Sequence, residues 1–342
     1  MVPNRKSALI ARLALLFAVL MLVPVEQAFA QTKLRVSMGW RFQGPQGIFL
    51  MARDRGYFKA EGLDVQIDPG SGSAGSIQRL VTGAYDLAVG DTSALIEFLG
   101  NNPGQARMQV VYMFQDQSAV TLWTLKKHNI RTVRDLDGKV VSGAPFEAAR
   151  RLWPMIAKVN GMKPDTVKWA SMDGQIRATA VIRGEAVAMG GFSNAWNEFT
   201  ARGIPRDEVI GFPLTAMGID IYGDAVMATS KLIEENPKAV AAFLRAFNRA
   251  FVETWRNPAI TVEWLKKAEP LIDVNTEQQN LEAIHPFVVN DFTRANGFGV
   301  INKIKLENQV DEVSTALGTK TKPSADLIFN SGFLPPKAQR MP

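Results

Sequence analysis

From residue 34 onward, the chain switches repeatedly between two hydrophobic patterns. Short segments in which apolar residues alternate with polar ones or run together predict strands at 34–38, 63–67, 87–89, 110–114, 120–125, 139–142, 167–170 and 186–189. Longer segments between them predict helices at 47–55, 73–82, 92–99, 147–160 and 175–183. Strands that alternate with helices predict an α/β fold, in which mostly parallel sheets are covered on both faces.

The last third of the chain has a helical pattern instead. Asn236 and Pro237 are favoured residues for the N-cap and the first turn of a helix. An apolar stripe at helical spacing follows them, made of Val240, Phe243, Leu244, Phe247 and Phe251. Thr276 together with Gln279 predicts a capping box at the start of another helix.

The first thirty residues predict an export signal. Three basic residues precede the uncharged, mostly apolar stretch 13–25, and Ala28-Phe29-Ala30 fits the cleavage pattern of a signal peptide. The apolar stretch is shorter than the roughly 20 residues that a membrane span needs. We therefore expect residues 1–30 to be cleaved and the mature protein to lie in the periplasm. Because Cys is absent, we expect no lipid anchor, and because no later segment offers a second candidate span, we expect no membrane insertion after cleavage.

The amino-acid composition excludes several kinds of catalytic and metal site. The 342 residues include no Cys and two His, His128 and His285, which excludes disulfides, thiolate metal sites, a Cys nucleophile and a multi-His metal centre. The net charge is +6, and residues 1–30 contribute three basic side chains and Glu26, so the mature chain carries +4. Its basic residues form no run interleaved with aromatics. We therefore expect no metal, no cofactor, no catalytic residue and no nucleic-acid partner.

The candidate site lies in the loops that follow predicted strands, because open α/β sheets bind ligands at the carboxyl ends of their strands. Trp40 and Phe42 follow the first strand in a turn rich in Gly and Pro. They predict a platform on which a flat ligand stacks, with a hydrophobic plug over the sheet as the alternative. Gly72, Ser73 and Ser76 follow the second strand and open a helix, where backbone N–H groups can hold a polar or anionic group.

The loop after the second strand also matches the dinucleotide fingerprint G-x-G-x-x-G over residues 70–75. In that fingerprint the loop follows the first strand, and an acidic residue lies about 20 residues further on. Here Asp91 lies sixteen residues beyond Gly75. A dinucleotide is therefore a weaker hypothesis than a small polar ligand, and a simple tight turn remains open.

The remaining candidates come from later loops. Asp91 or Thr92, after the third strand, caps a helix or contacts the ligand. Glu147 is either a ligand contact or a first-turn acid favoured by the helix dipole. The candidates of the second α/β unit and of the return crossing at 218–223 are Phe146, Glu147, Asn194, Trp196, Asp220 and Tyr222.

The segment 49–65, FLMARDRGYFKAEGLDV, matches the family signature A-x-x-x-G-Y-F-x-x-E-G-L-D-V, and residues 83–88, 135–140 and 236–237 match later landmarks. Over residues 33–260, the chain resembles exported substrate-binding proteins of bacterial ABC importers, from the NMT1/THI5-like (SsuA/THI5-like) family. The resemblance implies a type II periplasmic-binding-protein fold with two lobes, each a mostly parallel sheet flanked by helices, and a ligand cleft between them.

The resemblance also implies how the lobes are built and used. Lobe 1 would comprise residues 31–117 and 224–342, and lobe 2 residues 118–223. A monomer would close by hinge motion on one small molecule and deliver it to an ABC permease and its ATPase subunit. By the same resemblance, the ligand contacts are Trp40, the helix start 72–76, Thr92, the Phe146 loop and the loop 194–196.

The ligand class is predicted only in outline. Aromatic residues in these loops favour a flat aromatic or heterocyclic molecule, such as a thiamine-type pyrimidine or a flavin, and Glu147 or Asp220 would accept from an exocyclic amine. Arg41 could balance an anion, so a sulfonate, taurine or nitrate is the alternative. Pyrimidine synthases of the family use a Cys-rich motif and a His; this chain has no Cys, and Pro45-Gln46 stands where that His is expected. An enzyme of that kind, or an exported NAD-binding enzyme, is therefore less favoured.

Overall fold

The structure is a computed structural model that describes residues 31–105 and 108–342. The predicted signal peptide, residues 1–30, lies outside the described residues. Within the described ranges, no helix is both long enough and apolar enough to cross a membrane.

In the described residues, ten strands form two sheets of five strands each. The strands of the first sheet are β1 (Thr32–Ser37), β2 (Leu63–Asp68), β3 (Leu87–Asp91), β4 (Met108–Met113) and β10 (Asp224–Thr229). The strands of the second sheet are β5 (Val120–Leu125), β6 (Val140–Gly143), β7 (Lys168–Ser171), β8 (Ala188–Phe192) and β9 (Val209–Pro213).

The two sheets share one topology. Their strand orders are β2-β1-β3-β10-β4 and β7-β6-β8-β5-β9. In each sheet, the first three strands are parallel, and the fourth runs antiparallel to both of its neighbours. The prediction of mostly parallel sheets is therefore confirmed, with one reversed strand in each sheet.

The helices of the first half of the chain are α1 (Gly44–Asp54), α2 (Tyr57–Ala60), α3 (Ser73–Val81), α4 (Thr92–Asn101), α5 (Ala148–Arg151), α6 (Trp153–Val159), α7 (Arg177–Arg183) and α8 (Asn197–Thr200). The later helices are α9 (Ser230–Glu235), α10 (Pro237–Arg256), α11 (Pro258–Ala268), α12 (Val274–Val288), α13 (Asp291–Asn296), α14 (Lys303–Leu317) and α15 (Ala325–Ile328). Short 3-10 turns lie at Lys126–His128, Val133–Leu136, Pro164–Thr166, Arg206–Glu208, Leu214–Met217, Ser331–Phe333 and Lys337–Gln339.

Strand β10 shows why apolar runs predict these sheets. Val226 and Ala228 belong to one buried cluster, whereas Ala225 and Met227 on the opposite face belong to a second cluster. A strand that is buried on both faces needs apolar residues at successive positions. The second cluster also contains side chains of the other sheet, such as Leu122, so the two sheets are joined by a shared apolar region.

The long helix α10 forms the centre of the first cluster. Asn236 caps it by accepting a hydrogen bond from the Ala239 N–H at 3.1 Å, which confirms the predicted start. The ring of Phe247 stacks on Phe49 with 4.4 Å between centroids, and Phe251 meets Phe298 edge-on at 4.9 Å. Each such buried ring contributes roughly 1.5–3 kcal/mol through removal of apolar surface from water.

Three local predictions differ from the structure. The predicted helix 147–160 is two helices, because the chain turns at Leu152, just before Trp153 and Pro154. The capping box at Thr276 is wrong: Asp273 is the N-cap and accepts from the Thr276 N–H at 2.7 Å. Strand β9 was not predicted, since Gly211 and Pro213 interrupt its apolar pattern.

The chain passes between the sheets at 114–119 and again at 214–223. Both crossings lie close to the boundaries expected from the family resemblance. The assignment of residues 31–117 and 224–342 to one lobe and 118–223 to the other stays a prediction, which we adopt below as a convenient description.

Candidate functional site

The carboxyl ends of four strands border a groove of about 480 Å³ between the two sheets. Strands β1 and β2 approach it from the first sheet, and β6 and β7 approach it from the second. Its lining residues are Trp40, Arg41, Gly70, Ser71, Ala144, Pro145, Phe146, Ser171, Met172, Asp173, Gly174 and Gln175. The rule that open α/β sheets bind ligands at the carboxyl ends of their strands (the strand-end rule) therefore identifies the loops that form the groove.

Trp40 is the residue that the groove shares with two smaller, deeper compartments. Its ring lies beside two guanidinium groups, Arg177 at 5.1 Å and Arg41 at 5.7 Å from the ring centroid. On the side of the second sheet it packs against Gly174, where any Cβ would overlap the indole. Trp40 therefore separates the open groove from the interior between the sheets.

Beneath Trp40 lies a buried group of charged side chains. Arg177 is 3% exposed and donates to Glu147 at 2.6 Å and to Glu198 at 2.7 Å. Arg41, from the first sheet, also reaches Glu198 at 3.3 Å. Burial by itself lowers the pKa of Arg177, but Glu198 and Glu147 outweigh this effect and raise it. Arg177 is thus a fixed cation that both glutamates already neutralise.

Glu147 occupies a space that glycines leave open. A Cβ at either Gly143 or Gly190 would overlap its Oε1 atom. Desolvation by burial raises the pKa of Glu147, and the charge of Arg177 opposes that shift. Its Oε1 atom has no hydrogen-bond partner in the ranges that the structure covers. Glu147 also lines one of the two deep compartments, of about 20 Å³, so this oxygen faces a space next to Trp40 and Arg177.

The other deep compartment, of about 30 Å³, contains mostly polar side chains. Its lining residues are Trp40, Gln43, Pro45, Gln46, Gln115, Arg177, Phe192, Asn194, Ala195, Glu198, Asp224 and Ile284. Among the described residues, Gln46 Oε1 and Asp224 Oδ1 have no hydrogen-bond partner. Two buried acceptor atoms of this compartment are therefore unsatisfied.

Asp224 faces a second buried carboxylate, Asp91, directly across the β3–β10 ladder. Residues directly opposite in an antiparallel pair point to the same face, so the two carboxyl groups repel each other when both are ionised. Burial, followed by the charge of Asp91, raises the pKa of Asp224 to about 8. Burial raises the pKa of Asp91 to about 6, although its hydrogen bonds with Ser93 oppose the shift.

Several residues predicted from the sequence do meet around these spaces. The ones that line the groove or a deep compartment are Trp40, Gly72, Ser73, Phe146, Glu147 and Asn194. Phe146 is 48% exposed and lines the groove together with Trp40. Asn194 is buried in the 30 Å³ compartment.

Other predicted residues lie just behind the lining. Ser76 donates to the Met38 carbonyl at 2.9 Å, so its hydroxyl is engaged by backbone. Asp91 is the N-cap of α4 and accepts from the Ser93 N–H at 2.8 Å, as predicted for a capping residue. Thr92 donates to the Gly223 carbonyl at 2.8 Å and holds the return crossing in place.

Four predicted residues are not brought to these spaces. Phe42 packs partly against the first apolar cluster, and Trp196 lies under the Arg206 guanidinium at 5.0 Å. Asp220 is exposed and pairs with Lys305 at 2.6 Å. Tyr222 is buried, and its hydroxyl accepts from the Asn302 N–H at 2.7 Å. The return crossing therefore contributes Asp224 rather than Asp220 or Tyr222.

The glycine-rich loop has a packing role that its motif does not reveal. Gly72 has φ +140°, and a Cβ there would overlap the backbone carbonyl of Phe146 from the opposite sheet. The backbone of Phe146 thus occupies the space next to this loop in which a bound pyrophosphate would have to lie. This packing explains the glycine without a dinucleotide.

Four side chains of the interior were missed in the sequence, namely Gln46, Arg177, Glu198 and Asp224. None belongs to a motif, and each lies in a helix, a helix start or a strand whose pattern is otherwise ordinary. The one available signal was Asp224 itself, a charged residue that directly precedes the apolar run of β10. Arg177 and Glu198 are recognisable only once tertiary structure pairs them.

The two sheets are also bridged by contacts outside the cavities. Ser193 donates to the Ala283 carbonyl at 2.7 Å, and Asn197 donates to Asn280 at 2.8 Å. On another side, Arg151 pairs with Glu97. These bonds hold the loop after β8 against α12, and α5 against α4.

Ordinary catalytic arrangements are not found near the groove. Within 31–105 and 108–342, no group of three or more His, Cys, Asp or Glu residues is placed to hold a metal ion. His128 bonds the Val181 carbonyl, and His285 packs against Trp255, so neither lies among the lining residues. Arg177 is paired with Glu147 and Glu198 rather than with a nucleophile.

Comparisons with known proteins agree with this architecture. The pattern of the NMT1/THI5-like family matches residues 46–260, which is more than half of the chain. The riboflavin-binding protein RibY of Chloroflexus aurantiacus is 23% identical over 296 residues, covering 84% of this chain and 82% of that protein.

Solved structures show the same fold. The alkanesulfonate-binding protein SsuA of Xanthomonas axonopodis pv. citri superposes with a TM-score of 0.67 at 13% identity, covering 87% of this chain and 98% of that one. The periplasmic aliphatic sulphonate-binding protein SsuA of Escherichia coli gives a TM-score of 0.65 at 15% identity, covering 88% and 99%. The predicted two-lobed periplasmic-binding-protein fold is confirmed.

Proposed function

The chain belongs to the NMT1/THI5-like family, and from that premise we propose that it is the periplasmic substrate-binding component of an ABC importer. It captures a small flat aromatic or heterocyclic molecule between its lobes and presents the closed complex to a permease and its ATPase subunit. It acts as a monomer after removal of residues 1–30 and performs no catalysis.

One observation carries this proposal. Trp40 lies where the groove and both deep compartments meet, with Phe146 across the groove on the opposite sheet. An indole and a phenyl ring on facing walls suit a planar ligand, which gains contact with both faces when the lobes close. A groove of about 480 Å³ has room for one heterocyclic ring system.

Hinge closure explains how such a site captures its ligand. The groove is bordered by loops of both sheets, so a ligand in it contacts both lobes and stabilises the closed state over the open one. The bonds from Ser193 and Asn197 to α12 form only when the lobes are together. The contacts of the ligand and the direct contacts between the lobes therefore both favour the closed state.

Charge distinguishes the preferred ligand class from the alternative. A sulfonate, taurine or nitrate needs a free cation, yet Arg177 is neutralised by two glutamates and Arg41 also pairs with Glu198. Acceptor oxygens of Gln46 and Asp224 face the same interior. A heterocycle with N–H groups fits this lining better, and RibY, whose name states a flavin ligand, supports that class.

The anion alternative keeps one argument in its favour. Solved relatives of the same fold include alkanesulfonate-binding proteins. If ligand binding displaced Arg41 from Glu198, the guanidinium would become available at the groove. A sulfonate is therefore the second candidate ligand, and it is tested beside the first.

The first experiment is a thermal-shift screen of the protein lacking residues 1–30. The panel contains riboflavin, aminopyrimidines, aromatic acids, alkyl sulfonates, taurine, nitrate and NAD. A ligand at a hundred times its dissociation constant stabilises the native state by about 2.7 kcal/mol, which raises the melting temperature by several degrees. A shift with a heterocycle supports the proposal, a shift with sulfonates alone favours the alternative, and a shift with NAD alone contradicts both.

Two matched variants then locate the site. Trp40→Ala is expected to weaken binding of the identified ligand by about 1–3 kcal/mol, the usual contribution of one stacked ring. Trp264→Ala is the control, because Trp264 is also a half-buried indole beneath a cation but lies on α11, away from the groove. Equal affinities of the two variants by calorimetry would contradict the proposed site.

A further inference from the structure

The 30 Å³ compartment beneath Trp40 has a size that limits what can enter it. Its volume of about 30 Å³ is far below the roughly 150 Å³ of a cavity that holds a benzene ring. A ring does not fit there, but a single amino group attached to a ring held in the groove does. Trp40 lines both spaces and lies between them, so a substituent of a ring in the groove would reach the compartment past the edge of this indole.

The lining calls for hydrogen-bond donors. Asp224 Oδ1 and Gln46 Oε1 are both acceptor atoms, and neither has a partner in the described part of the chain. Asp224 is 9% exposed, so water in bulk does not satisfy it. Its backbone is fixed on both sides, since its N–H donates to Gln115 Oε1 and its carbonyl accepts from the N–H of Phe114.

The charges that face Asp224 leave the compartment negative. Asp91 lies opposite it on β3, and Asp91 Oδ2 is a further acceptor without a partner among the described residues. From the other sheet, Glu198 and Arg177 line the same space, and the charge of Arg177 is shared between Glu198 and Glu147. No described cation of the lining is thus left over for Asp224.

Resting on the function proposed above, we propose that this compartment recognises a positively charged nitrogen group of the ligand, a protonated amine or amidine. A cation bound there favours the ionised form of Asp224, which then serves as its counter-charge and determines specificity. An ammonium group carries three donors and no acceptor, so it can satisfy Asp224 and Gln46 together. The neighbouring Trp40 ring adds a favourable cation–π contact. A carboxylate or sulfonate at the same place would face uncompensated acidic groups.

The test uses two probes that differ in one group, benzylamine and benzyl alcohol. Both carry the same ring for the groove, but only the amine is charged at about pH 8, where Asp224 titrates. Binding is measured by calorimetry or ligand-observed NMR with the protein lacking residues 1–30. We expect the wild type to bind benzylamine at least about tenfold more tightly than benzyl alcohol.

Asp224→Asn is the decisive variant. It keeps the shape of the side chain and is expected to abolish the preference for the amine, so that the ratio of the two affinities falls to about one. Glu282→Gln removes one exposed carboxylate of α12 and serves as the control for net charge; it should behave as the wild type. An unfolded Asp224→Asn protein would be recognised by its failure to bind benzyl alcohol, and Asp224→Ala then replaces it.

The outcomes separate this inference from the proposed function. An equal preference in wild type and Asp224→Asn, or no binding of benzylamine to the wild type, would overturn the amine site and leave a bound water as its occupant. If Trp40→Ala bound both probes as tightly as the wild type, the proposed function would lose its site as well. Loss of the amine preference alone in Asp224→Asn supports both.

Discussion

The aromatic cluster around α10 and the interior between the lobes are both buried, but they are built on opposite principles. Around α10, the rings of Phe49, Phe243 and Phe247 stack on one another with no charged group among them. Between the lobes, Arg177 and Asp224 are also buried, and acceptor oxygens remain without partners in the described ranges. The first region gains stability from burial, whereas burial of the polar groups in the second costs stability, a cost that fits the ligand site proposed above.

Replacement of Phe247 by Ala should give the largest effect and should fall on stability alone. The ring contacts five other aromatic rings, so its removal leaves a cavity and lowers the free energy of unfolding by about 3–5 kcal/mol. Urea unfolding measures this loss, and Phe247→Leu, which keeps most of the volume, should lose much less. If ligand affinity at a temperature where the variant is folded fell in proportion, the two regions would not be independent.

A change of pH should affect the other region. The pKa of Asp224 is about 8 in the folded protein, against about 4 for an unfolded Asp, so the folded state binds this proton more tightly. Between these values, stability falls as pH rises, by up to about 1.4 kcal/mol per pH unit for one proton, and the slope ends above the folded pKa. Asp91 adds to the fall between about pH 4 and its folded pKa of about 6.

The measurement for this prediction is urea unfolding of wild type and Asp224→Asn at several pH values. Asp224→Asn should be more stable than the wild type by a margin that widens from about pH 5 to about pH 8, because it has no carboxylate to bury. Glu282→Gln again provides the comparison for a loss of exposed charge. A margin that stays constant with pH would mean that Asp224 titrates as an ordinary surface carboxylate.

The smallest effect is expected where the lobes touch without a ligand. Asn197→Ala removes the 2.8 Å hydrogen bond to Asn280 on α12, which is worth about 0.5–1.5 kcal/mol net. The open form should therefore become more populated in the free protein, seen as a larger radius of gyration by X-ray scattering, and saturating ligand should restore the compact form. Asn296→Ala, which loses a bond within α13, is the control. Identical scattering of the two variants would exclude a role of this bond in closure.

The sequence predicts the sheets better than the site, for a physical reason. Strands buried on both faces, such as β5 and β10, require continuous apolar residues, and that requirement is local. Trp40, Phe146 and Glu147 follow from a rule about strand ends, which is local as well. Arg177 and Glu198 become a pair only when two separate helices pack together, and no pattern in the sequence predicts that contact.

The return crossing shows the limit of the strand-end rule. It predicted that residues at 218–223 would face the cleft, yet Asp220 pairs with Lys305 at the surface and the Tyr222 hydroxyl bonds Asn302. Asp224, at the first position of β10, faces the interior instead. The crossing joins strands of different sheets, so its direction depends on how the sheets pack rather than on its own residues.

Gly143 and Gly190, which leave room for the Glu147 side chain, have a consequence for the sequences of related proteins. A methyl group at position 143 would overlap the Glu147 carboxylate and the Trp169 ring, and one at position 190 would overlap the same carboxylate and Ala149. The end of the Glu147 side chain can turn away, but only by leaving its ion pair with Arg177. Within the family, the residues at 143, 147 and 190 are therefore expected to vary together more often than unrelated positions do.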